Sequence, residues 1–397
     1  MFQHFEQFAG DPILGINAKF LADPRKQKIN LSIGVYLDER GNVPLLPTVR
    51  EAQRRILEEG KPRPYLPIEG LEKYRKATAE LLFGPDSAAI KYERVVTVQT
   101  IGSSGALKIC AELVRRWFPD TTAWVSTPTW DNHRAILEGA GVPVRAYPYY
   151  DGHQRALDFA GMMAAVTSMP AGSLVVIHGC CHNPTGVDLS EAQWKTLVPV
   201  LQERKLLPIV DLAYQGFGDG LEIDAFPLRL MDASGLSFIV VNSFSKNMSI
   251  YGERAGALSV VTQSREEAAL VFGQLQATIR RNWSNPPTHA GEIASYLMTD
   301  PLLKIKWIEE VDLMRRRIKS MRVALHSELS RLMPANHFDY VLEQRGMFSY
   351  TGLSATQVSR MQINQGVYLV PSGRICVAAL NDANVRYAAE AISAVMS

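Results

Sequence analysis

The chain has 397 residues, of which 47% are hydrophobic, so it can bury a sizeable core. At roughly 150 residues per domain, this length predicts two or three domains. Its 42 basic and 40 acidic residues leave a net charge of +2, without a long run of either sign. This composition argues against disorder, and against nucleic acid or an anionic membrane surface as a partner. We therefore expect a small-molecule ligand.

Four cysteines, Cys110, Cys180, Cys181 and Cys376, are too few and too irregularly spaced for the disulfide framework of a small secreted domain. The first eleven residues lack a basic start followed by an apolar stretch. No apolar run approaches the roughly 20 residues that would span a bilayer. We expect a soluble protein in the reducing environment of the cytoplasm.

Short runs rich in β-branched residues alternate with longer amphipathic segments from about residue 94 to residue 261. The runs occupy residues 95–98, 124–126, 142–147, 174–177, 207–210, 238–241 and 257–261. This alternation is typical of a mostly parallel sheet covered by helices, so the predicted fold class is α/β. Between two of the runs, Ser190 and Gln193 predict a capping box at the start of a helix.

The C-terminal part of the chain has a different pattern. After Pro301, apolar residues at steps of three and four predict one long amphipathic helix that can bridge two domains. Short strands are predicted further on, and a last helix is predicted from Asn384. The predicted strands are residues 338–341, 347–350, 367–370 and 375–378. These elements indicate a smaller α+β domain, which the strand-like residues 29–35 would complete.

Ligands of open parallel sheets bind beyond the carboxyl ends of the strands, so the residues that follow each run are candidates for a site. The first candidate is Gly102-Ser103-Ser104-Gly105, which precedes an Ala/Leu-rich helix. Backbone N–H groups at such a helix start attract a phosphate, although a plain turn with an N-cap would give the same residues. The segment matches neither the P-loop nor the full dinucleotide pattern.

Asp211 ends an apolar strand, where an ionised carboxylate is costly unless it meets a cation or good hydrogen-bond donors. A helix cap or a turn would satisfy it. The protonated ring nitrogen of a pyridinium cofactor would also satisfy it. Tyr214, three residues later, could then reach a neighbouring phenolate oxygen.

Among the candidate residues, Lys246 is the strongest indication of chemistry with such a cofactor. Most lysines in loops are solvated surface charges, but Lys246 ends a buried strand and precedes Arg254 by eight residues. Apolar walls and nearby cations lower the pKa of an amine and allow it to form a Schiff base. The stretch Ser243-Phe244-Ser245-Lys246 also matches the S-x-x-K pattern of serine acyl enzymes, but their Ser-Asp-Asn and Lys-Thr-Gly partners are missing from the sequence.

His178, Cys180, Cys181 and His182 form a metal-like cluster. Adjacent cysteines lack the spacing of a zinc site, and no second ligand pair lies at a suitable distance along the chain. Buried thiols and a hydrogen-bonded histidine near a site are the favoured interpretation, so no metal is expected.

Several motifs together resemble those of the aspartate/aromatic branch of the class I aminotransferases. They are His182-Asn183-Pro184-Thr185-Gly186, Asp211-Leu212-Ala213-Tyr214, Ser243-Phe244-Ser245-Lys246, Tyr251-Gly252-Glu253-Arg254 and Ser372-Gly373-Arg374. The resemblance covers nearly the whole chain, from Gly10-Asp11-Pro12-Ile13-Leu14 to the last helix. It implies fold type I and a homodimer with shared active sites. It also implies a large cofactor domain of residues 45–305 and a small domain of residues 1–44 and 306–397, with an arm of about residues 1–12.

The resemblance implies pyridoxal 5′-phosphate as the cofactor. Lys246 would be the Schiff-base lysine and the proton shuttle, and Asp211, supported by His133, would pair with the pyridinium nitrogen. The other ring contacts would come from Asn183, Tyr214 and Trp130. The phosphate would be bound by Ser103, Ser104, Ser243, Ser245, Arg254 and, from the other subunit, Tyr65.

For the substrate, the resemblance implies that Arg374 clamps the α-carboxylate as a bidentate fork, a task for which lysine is a poor substitute. Gly34, Asn183 and Trp130 would complete that end of the site. Arg280, contributed by the neighbouring subunit, would bind the distal carboxylate of aspartate or glutamate.

Substrate preference depends on the pocket walls. Val35, Leu37, Val43 and Pro64 are apolar where strict aspartate enzymes carry more polar residues, although Asn285 stands where serine is more usual in the aromatic type. We therefore expect a ping-pong exchange of aromatic and dicarboxylic L-amino acids with 2-oxoglutarate. The alternative is a strict aspartate aminotransferase. A β-lyase or decarboxylase could also use Lys246 and Asp211, but Arg280 and Arg374 indicate two substrate carboxylates and therefore favour transamination. A non-catalytic binding protein is disfavoured because Lys246, Asp211 and Asn183 are all present.

Overall fold

The computed structural model describes residues 2–7 and 10–396. Within them, the helices are α1 Pro12–Ala22, α2 Pro47–Glu59, α3 Glu72–Phe83, α4 Ala88–Lys91, α5 Gly102–Trp117, α6 Asp131–Gly139, α7 Phe159–Ser168, α8 Glu191–Glu203, α9 Phe226–Ser234, α10 Arg265–Asn282, α11 Thr288–Thr299, α12 Pro301–Leu332, α13 Tyr340–Glu343, α14 Ala355–Gln365 and α15 Val385–Met396. The strands are β1 Ile29–Asn30, β2 Val95–Ile101, β3 Ala123–Thr127, β4 Val144–Pro148, β5 Tyr150–Asp151, β6 Ala156–Leu157, β7 Leu174–His178, β8 Leu207–Leu212, β9 Phe238–Ser243, β10 Ala255–Val261, β11 Phe348–Tyr350, β12 Val367–Tyr368 and β13 Arg374–Cys376. Short 3-10 helices lie at Phe2–His4, Tyr251–Glu253 and Val377–Ala379.

A seven-stranded sheet forms the centre of the fold, in the order β2-β10-β9-β8-β7-β3-β4. Neighbouring strands are parallel except around β10, which runs antiparallel to both β2 and β9. Each of the seven strands predicted between residues 94 and 261 is present in this sheet. The predicted α/β class with a mostly parallel sheet is therefore confirmed.

Strand β7 shows how the sheet is buried on both faces. Its five residues are all buried, and their side chains alternate between two hydrophobic clusters. Val175 and Ile177 pack in one cluster, whereas Leu174 and Val176 pack in the other. Each fully buried aliphatic side chain contributes roughly 1.5–3 kcal/mol to stability. Burial on both faces explains why this strand is a continuous apolar run in the sequence.

Helix α8 begins with the predicted capping box. The Gln193 N–H donates to Ser190 Oγ at 3.2 Å, and the Ser190 N–H donates to Gln193 Oε1 at 2.8 Å. Helix α14 begins in the same way with Ser354 and Gln357, a box that was not predicted. Each box satisfies backbone donors that the first turn of a helix leaves without partners.

The long helix predicted after Pro301 is α12, which has 32 residues. Trp307, Val311, Met314 and Ile318 lie on its buried face. It packs against α2 and α11 on one side of the predicted domain boundary and against α13 and α15 on the other. This helix therefore connects the predicted large domain, which ends at residue 305, with the predicted small domain, which continues from residue 306.

Both ends of the chain meet in the smaller part of the structure. Strand β1 pairs in parallel with β12, and β11 pairs antiparallel with β13. The predicted strands at 347–350 and 367–370 correspond to β11 and β12, and the predicted last helix is α15. The domain boundaries themselves stay a prediction. Residues 1, 8 and 9 of the predicted arm, and residue 397, lie outside the described residues.

Four of the strand predictions for this part were wrong in whole or in part, and of the strand predicted at 367–370, β12 includes only the first two residues. Residues 338–341 do not form a strand, because helix α13 begins at Tyr340, and a short apolar run fits either element. The strand predicted at 375–378 ends at Cys376 because a 3-10 helix follows it. Of residues 29–35, β1 includes only the first two.

Among the described helices, none combines the length and the apolar character that a membrane-spanning segment requires. The expected cytoplasmic location stays a prediction.

Candidate active site

A cavity of about 150 Å³ lies at the carboxyl ends of β7 and β8, beside the loops that follow β2 and β9. Eight of the residues predicted for the site line it together. They are Gly34, Ser103, Trp130, Asn183, Asp211, Tyr214, Lys246 and Arg374. The parallel strands explain this convergence, because residues far apart in the sequence end at the same edge of the sheet.

Asp211 is buried at the end of β8, with only one of its carboxylate oxygens paired. Its Oδ2 lies 2.8 Å from His133 Nε2, and the other nitrogen of that ring lies 2.8 Å from Thr129 Oγ1. Its Oδ1 has no hydrogen-bond partner among the described residues. Burial alone would raise the pKa of Asp211, but the His133 hydrogen bond and the nearby charges outweigh burial and lower the pKa. The carboxylate therefore stays ionised and presents one free acceptor.

Lys246 lies in the turn that follows β9, with Nζ 5.0 Å from the centre of the Tyr214 ring. Burial lowers the pKa of its amine to about 8, although the charge of Asp211 acts in the opposite direction. Burial also raises the pKa of the Tyr214 hydroxyl, so this group stays protonated at neutral pH. The site thus combines an amine that can be neutral with a phenol that can donate.

A cluster of hydroxyl groups and a cation surrounds the start of α5. Ser103 lies in its first turn, and the buried Ser243 Oγ donates to Ser245 Oγ at 3.0 Å. Arg254 Nη1 lies 3.5 Å from the same Ser245 oxygen. Gly102 has a φ of +72°, which favours glycine, and a Cβ there would lie 2.5 Å from Arg254 Nη2 and displace the guanidinium. Orphan N–H groups, hydroxyls and a guanidinium in one place make this cluster a candidate anion site.

Asn183 and Trp130 occupy the wall between these groups and Arg374. The loop that carries Asn183 is fixed by Asp188, whose carboxylate accepts the N–H groups of Cys181 and His182 at 2.7 and 2.8 Å. The Trp130 ring lies edge-on to His133, with 5.3 Å between the ring centres. Both residues are therefore held by contacts that do not depend on a ligand.

Arg374 on β13 is buried in the opposite wall. Its Nη2 donates to the Ser32 carbonyl at 2.6 Å, and its Nη1 donates to Asn183 Oδ1 at 3.2 Å. Its Nε has no partner among the described residues. A buried guanidinium with a free N–H group can bind a carboxylate.

Two predicted residues lie on the surface of the single chain and do not line this cavity. Tyr65 is 91% exposed, and Arg280 is an exposed residue whose Nη1 donates to Ser284 Oγ at 2.5 Å. Val35, Leu37, Val43 and Pro64, predicted as apolar walls, are also absent from its lining in this single chain. Ser104, Ser243, Ser245 and Arg254 lie beside it without lining it.

Four cavity residues were not predicted for the site, namely Ile13, His178, Ala213 and Phe348. The sequence marks His178 as part of a metal-like cluster, and its position at the end of β7 also indicates a place at the site. Ala213 lies within a motif that was quoted, between Asp211 and Tyr214. Ile13 also lies within a motif of the resemblance, Gly10-Asp11-Pro12-Ile13-Leu14, whereas no motif marks Phe348, which reaches the cavity from a distant part of the chain.

The predicted metal-like cluster is divided between two places in the described residues. His178 lies beside His133 and Asp211, whereas Cys180 and Cys181 lie beside Asp224. The Asp224 carboxylate already accepts N–H groups of Gly216, Gly218 and Asp219.

Comparison with known families agrees with this geometry. The family described as aminotransferase class I and II matches residues 26–392. The chain belongs to this aminotransferase family. Its predicted family, its fold type and its activity as a transaminase are therefore confirmed.

Several relatives of this aminotransferase match over the full length. The aromatic-amino-acid aminotransferase of Escherichia coli (strain K12) is 50% identical over 399 residues, covering 100% of both chains. The aspartate aminotransferase of Pseudomonas aeruginosa is 48% identical over 396 residues with the same coverage. A crystal structure of an aromatic-amino-acid aminotransferase from Burkholderia pseudomallei, covalently bound to pyridoxal phosphate, is 48% identical, covers 100% of both chains and has a TM-score of 0.98.

Proposed function

We propose that this aminotransferase uses pyridoxal 5′-phosphate to exchange amino groups between aromatic or dicarboxylic L-amino acids and 2-oxoglutarate. The observation that carries the proposal is the lining of one cavity by Lys246, the unpaired oxygen of Asp211 and Arg374. These groups supply an amine, an acceptor for a ring N–H and a carboxylate clamp. Transamination requires these three functions in one place.

The residues present fit the cofactor. The unpaired Asp211 Oδ1 is a buried acceptor that would bind the protonated ring nitrogen, and His133 keeps the carboxylate ionised. Tyr214 and Asn183 would bind the phenolic oxygen, and Trp130 would stack on the ring. When bound, the cofactor supplies an electron sink for the bonds of the substrate α-carbon.

The anion site at the start of α5 would hold the cofactor phosphate. Ser103 and Ser104 supply hydroxyls and backbone N–H groups, and Arg254 supplies the positive charge. The remaining hydroxyls come from Ser243 and Ser245, and Tyr65 would be added by a second copy of the chain. An anion at a helix N-terminus is stabilised by the helix dipole as well as by these donors.

Lys246 would hold the cofactor in the resting enzyme and then move protons. With a pKa of about 8, its amine is neutral in a substantial fraction of molecules at physiological pH. A neutral Nζ can take the α-proton of the bound amino acid and return it within the same cavity. General acid–base catalysis of this kind contributes roughly 10²- to 10⁴-fold when the pKa lies near the working pH.

Arg374 would bind the α-carboxylate that every substrate carries, with Gly34 and Asn183 beside it. Arg280 of a second copy would bind the distal carboxylate of aspartate, glutamate or 2-oxoglutarate. Both Tyr65 and Arg280 are exposed in the single chain, which supports a homodimer with shared sites.

The aromatic preference is supported by the apolar residues Val35, Leu37, Val43 and Pro64. Relatives do not separate the alternatives by identity alone, because the aromatic-amino-acid and aspartate enzymes named above are 50% and 48% identical to this chain. Two relatives at 50% and 49% identity are nevertheless named as an aromatic-amino-acid and a tyrosine aminotransferase.

The experiment that separates the alternatives compares kcat/KM for phenylalanine, tyrosine and aspartate with 2-oxoglutarate as the acceptor. We expect phenylalanine or tyrosine to be used within about tenfold of aspartate. A preference for aspartate above roughly a thousandfold, or about 4 kcal/mol, would leave the strict aspartate aminotransferase as the function.

A further inference from the structure

Arg374 is a buried cation without a buried anion to balance it. The residue is 5% exposed, and the hydrogen bonds that its guanidinium donates go to the Asn183 side chain and the Ser32 carbonyl, which carry no charge. Its guanidinium carbon lies 4.2 Å from the centre of the Phe348 ring. Burying an unpaired cation is costly, and the negative face of an aromatic ring offsets part of that cost.

The Phe348 ring is fixed by its surroundings. In the β11–β13 pair, Phe348 is opposite Cys376 and Tyr350 is opposite Arg374, so Phe348 is the diagonal neighbour of Arg374 on one face of the pair. The Tyr214 ring meets it at 79°, with 5.7 Å between the ring centres.

Gly34 leaves no free space at the tip of this ring. A Cβ at Gly34 would lie 2.8 Å from Phe348 Cζ, so only a residue without a side chain fits there. Gly34 therefore limits movement of the ring in the direction of its tip.

A second buried arginine holds the backbone of the same strand. Arg322 on α12 is 3% exposed, and its Nη2 donates to the carbonyls of Gly346 and Phe348 at 2.8 and 2.5 Å. Its Nη1 donates to the Val341 carbonyl at 3.0 Å. The guanidinium fork thus ties the segment that enters β11 to the long helix.

We propose that Phe348 is a positioning residue for substrate binding, because its ring face holds the Arg374 guanidinium ready for the α-carboxylate while Arg322 fixes the Phe348 backbone. This inference rests on the proposed role of Arg374. Ser32 and Asn183 constrain the guanidinium within its plane, and the ring constrains it from one face. Since every substrate carries an α-carboxylate, Phe348 acts on aromatic and dicarboxylic substrates alike.

The test measures equilibrium binding of 3-phenylpropionate and of its neutral analogue 3-phenylpropanamide to the cofactor-loaded protein by calorimetry. The affinity ratio, which is the affinity for the carboxylate divided by the affinity for the amide, reports the contribution of the carboxylate. In Phe348→Leu, which keeps an apolar side chain but loses the ring face, we expect this ratio to fall about tenfold. Catalysis should show the same change as a higher KM for every amino acid, with a much smaller change in kcat.

Fluorinated phenylalanines at position 348 separate the ring charge from the ring shape. Fluorine at the two Cδ positions weakens the negative face and lies away from Cζ and Cε1, the ring atoms nearest to Gly34. We expect the affinity ratio to decrease stepwise from the unmodified ring to the mono- and difluorinated rings. An unchanged ratio across this series would overturn the proposal, even if Phe348→Leu lowered both affinities.

Arg322→Lys tests the backbone clamp, because lysine keeps the charge but cannot donate to three carbonyls as a planar fork. We expect a two- to fivefold lower ratio, with cofactor absorbance retained as proof of folding. An unchanged ratio in this folded variant would remove Arg322 from the proposal. Failure of the proposed function is distinguishable, because the wild-type protein would then form no phenylpyruvate from phenylalanine.

Discussion

At the level of single residues, the amine of Lys246 is the group on which the chemistry depends. Burial lowers its pKa from 10.5 to about 8, with the charge of Arg254 acting in the same direction. At pH 7 an amine with this pKa is neutral in about 10% of molecules, compared with roughly 0.03% for an unperturbed lysine. The environment therefore increases the reactive fraction by more than two orders of magnitude.

This shift can be measured in the cofactor-free protein. Trace acetylation with acetic anhydride, followed by mass spectrometry, should show Lys246 reacting faster as pH rises, with a midpoint near 8, because only the neutral amine reacts. In denaturant the same residue should titrate near about 10.4. Equal midpoints in the folded and unfolded protein would show that burial does not act on this amine.

Replacement of the amine should abolish turnover. In Lys246→Ala we expect kcat to fall by roughly 10⁴-fold or more, as it does when other catalytic groups are removed. The absorbance of the covalently held cofactor should also be lost. Lys195→Ala on the exposed surface of α8 is the matched control and should keep full activity. Retained activity in Lys246→Ala would contradict the assignment.

At the level of elements, the strands of the central sheet were predictable and the smaller strands were not. Strands β7, β8 and β9 are buried on both faces, so their apolar runs are visible without knowledge of their partners. In contrast, β11 and β13 are three residues long and exist because they pair with each other across the sequence. Such pairing joins distant residues, so a local sequence pattern does not reveal it. The apolar run at 338–341 was predicted as a strand for this reason, although it has no strand partner.

The candidate site divides in the same way. Asp211, Lys246 and Ser103 end or follow predicted strands. Ligands of parallel sheets bind beyond the carboxyl ends of the strands, so position alone predicts these three residues. The roles of Asn183 and Arg374 came from motif resemblance. Phe348 has no local signal, because its importance comes from a cross-strand contact with Arg374.

The capping boxes give a prediction about stability. Ser190→Ala and Ser354→Ala should each lower the free energy of unfolding by about 1 kcal/mol, because each removes a side-chain acceptor from a helix start. Urea denaturation should show lower midpoints with an unchanged slope. Ser327→Ala, at an exposed position inside α12 and away from both ends of that helix, should change stability by less than about 0.5 kcal/mol. Equal effects in all three variants would contradict the capping explanation.

At the level of the whole molecule, the single chain contains most of a site but leaves two of its predicted residues on the surface. Tyr65 and Arg280 do not line the cavity formed by Asp211 and Lys246. A closed twofold dimer places the same surface of each copy against the other, so each copy can complete the site of its partner.

Mixing of inactive variants tests this arrangement. Lys246→Ala and Arg280→Ala, each impaired alone, should recover about a quarter of wild-type aspartate activity after subunit exchange, because half of the dimers are hybrid and each hybrid has one intact site. Mixing Lys246→Ala with Asp211→Ala should recover nothing, since both residues belong to the same copy. No recovery in the first mixture would contradict sites shared between subunits.

The most direct test of the central claim is a single turnover. The protein loaded with pyridoxal 5′-phosphate is mixed with excess L-phenylalanine in the absence of any oxo acid, and phenylpyruvate is quantified against the number of active sites. We expect one phenylpyruvate per site, a matching loss of the covalent cofactor absorbance and its return on addition of 2-oxoglutarate. No phenylpyruvate, or release of ammonia or carbon dioxide in its place, would contradict the assignment as an aromatic-amino-acid transaminase.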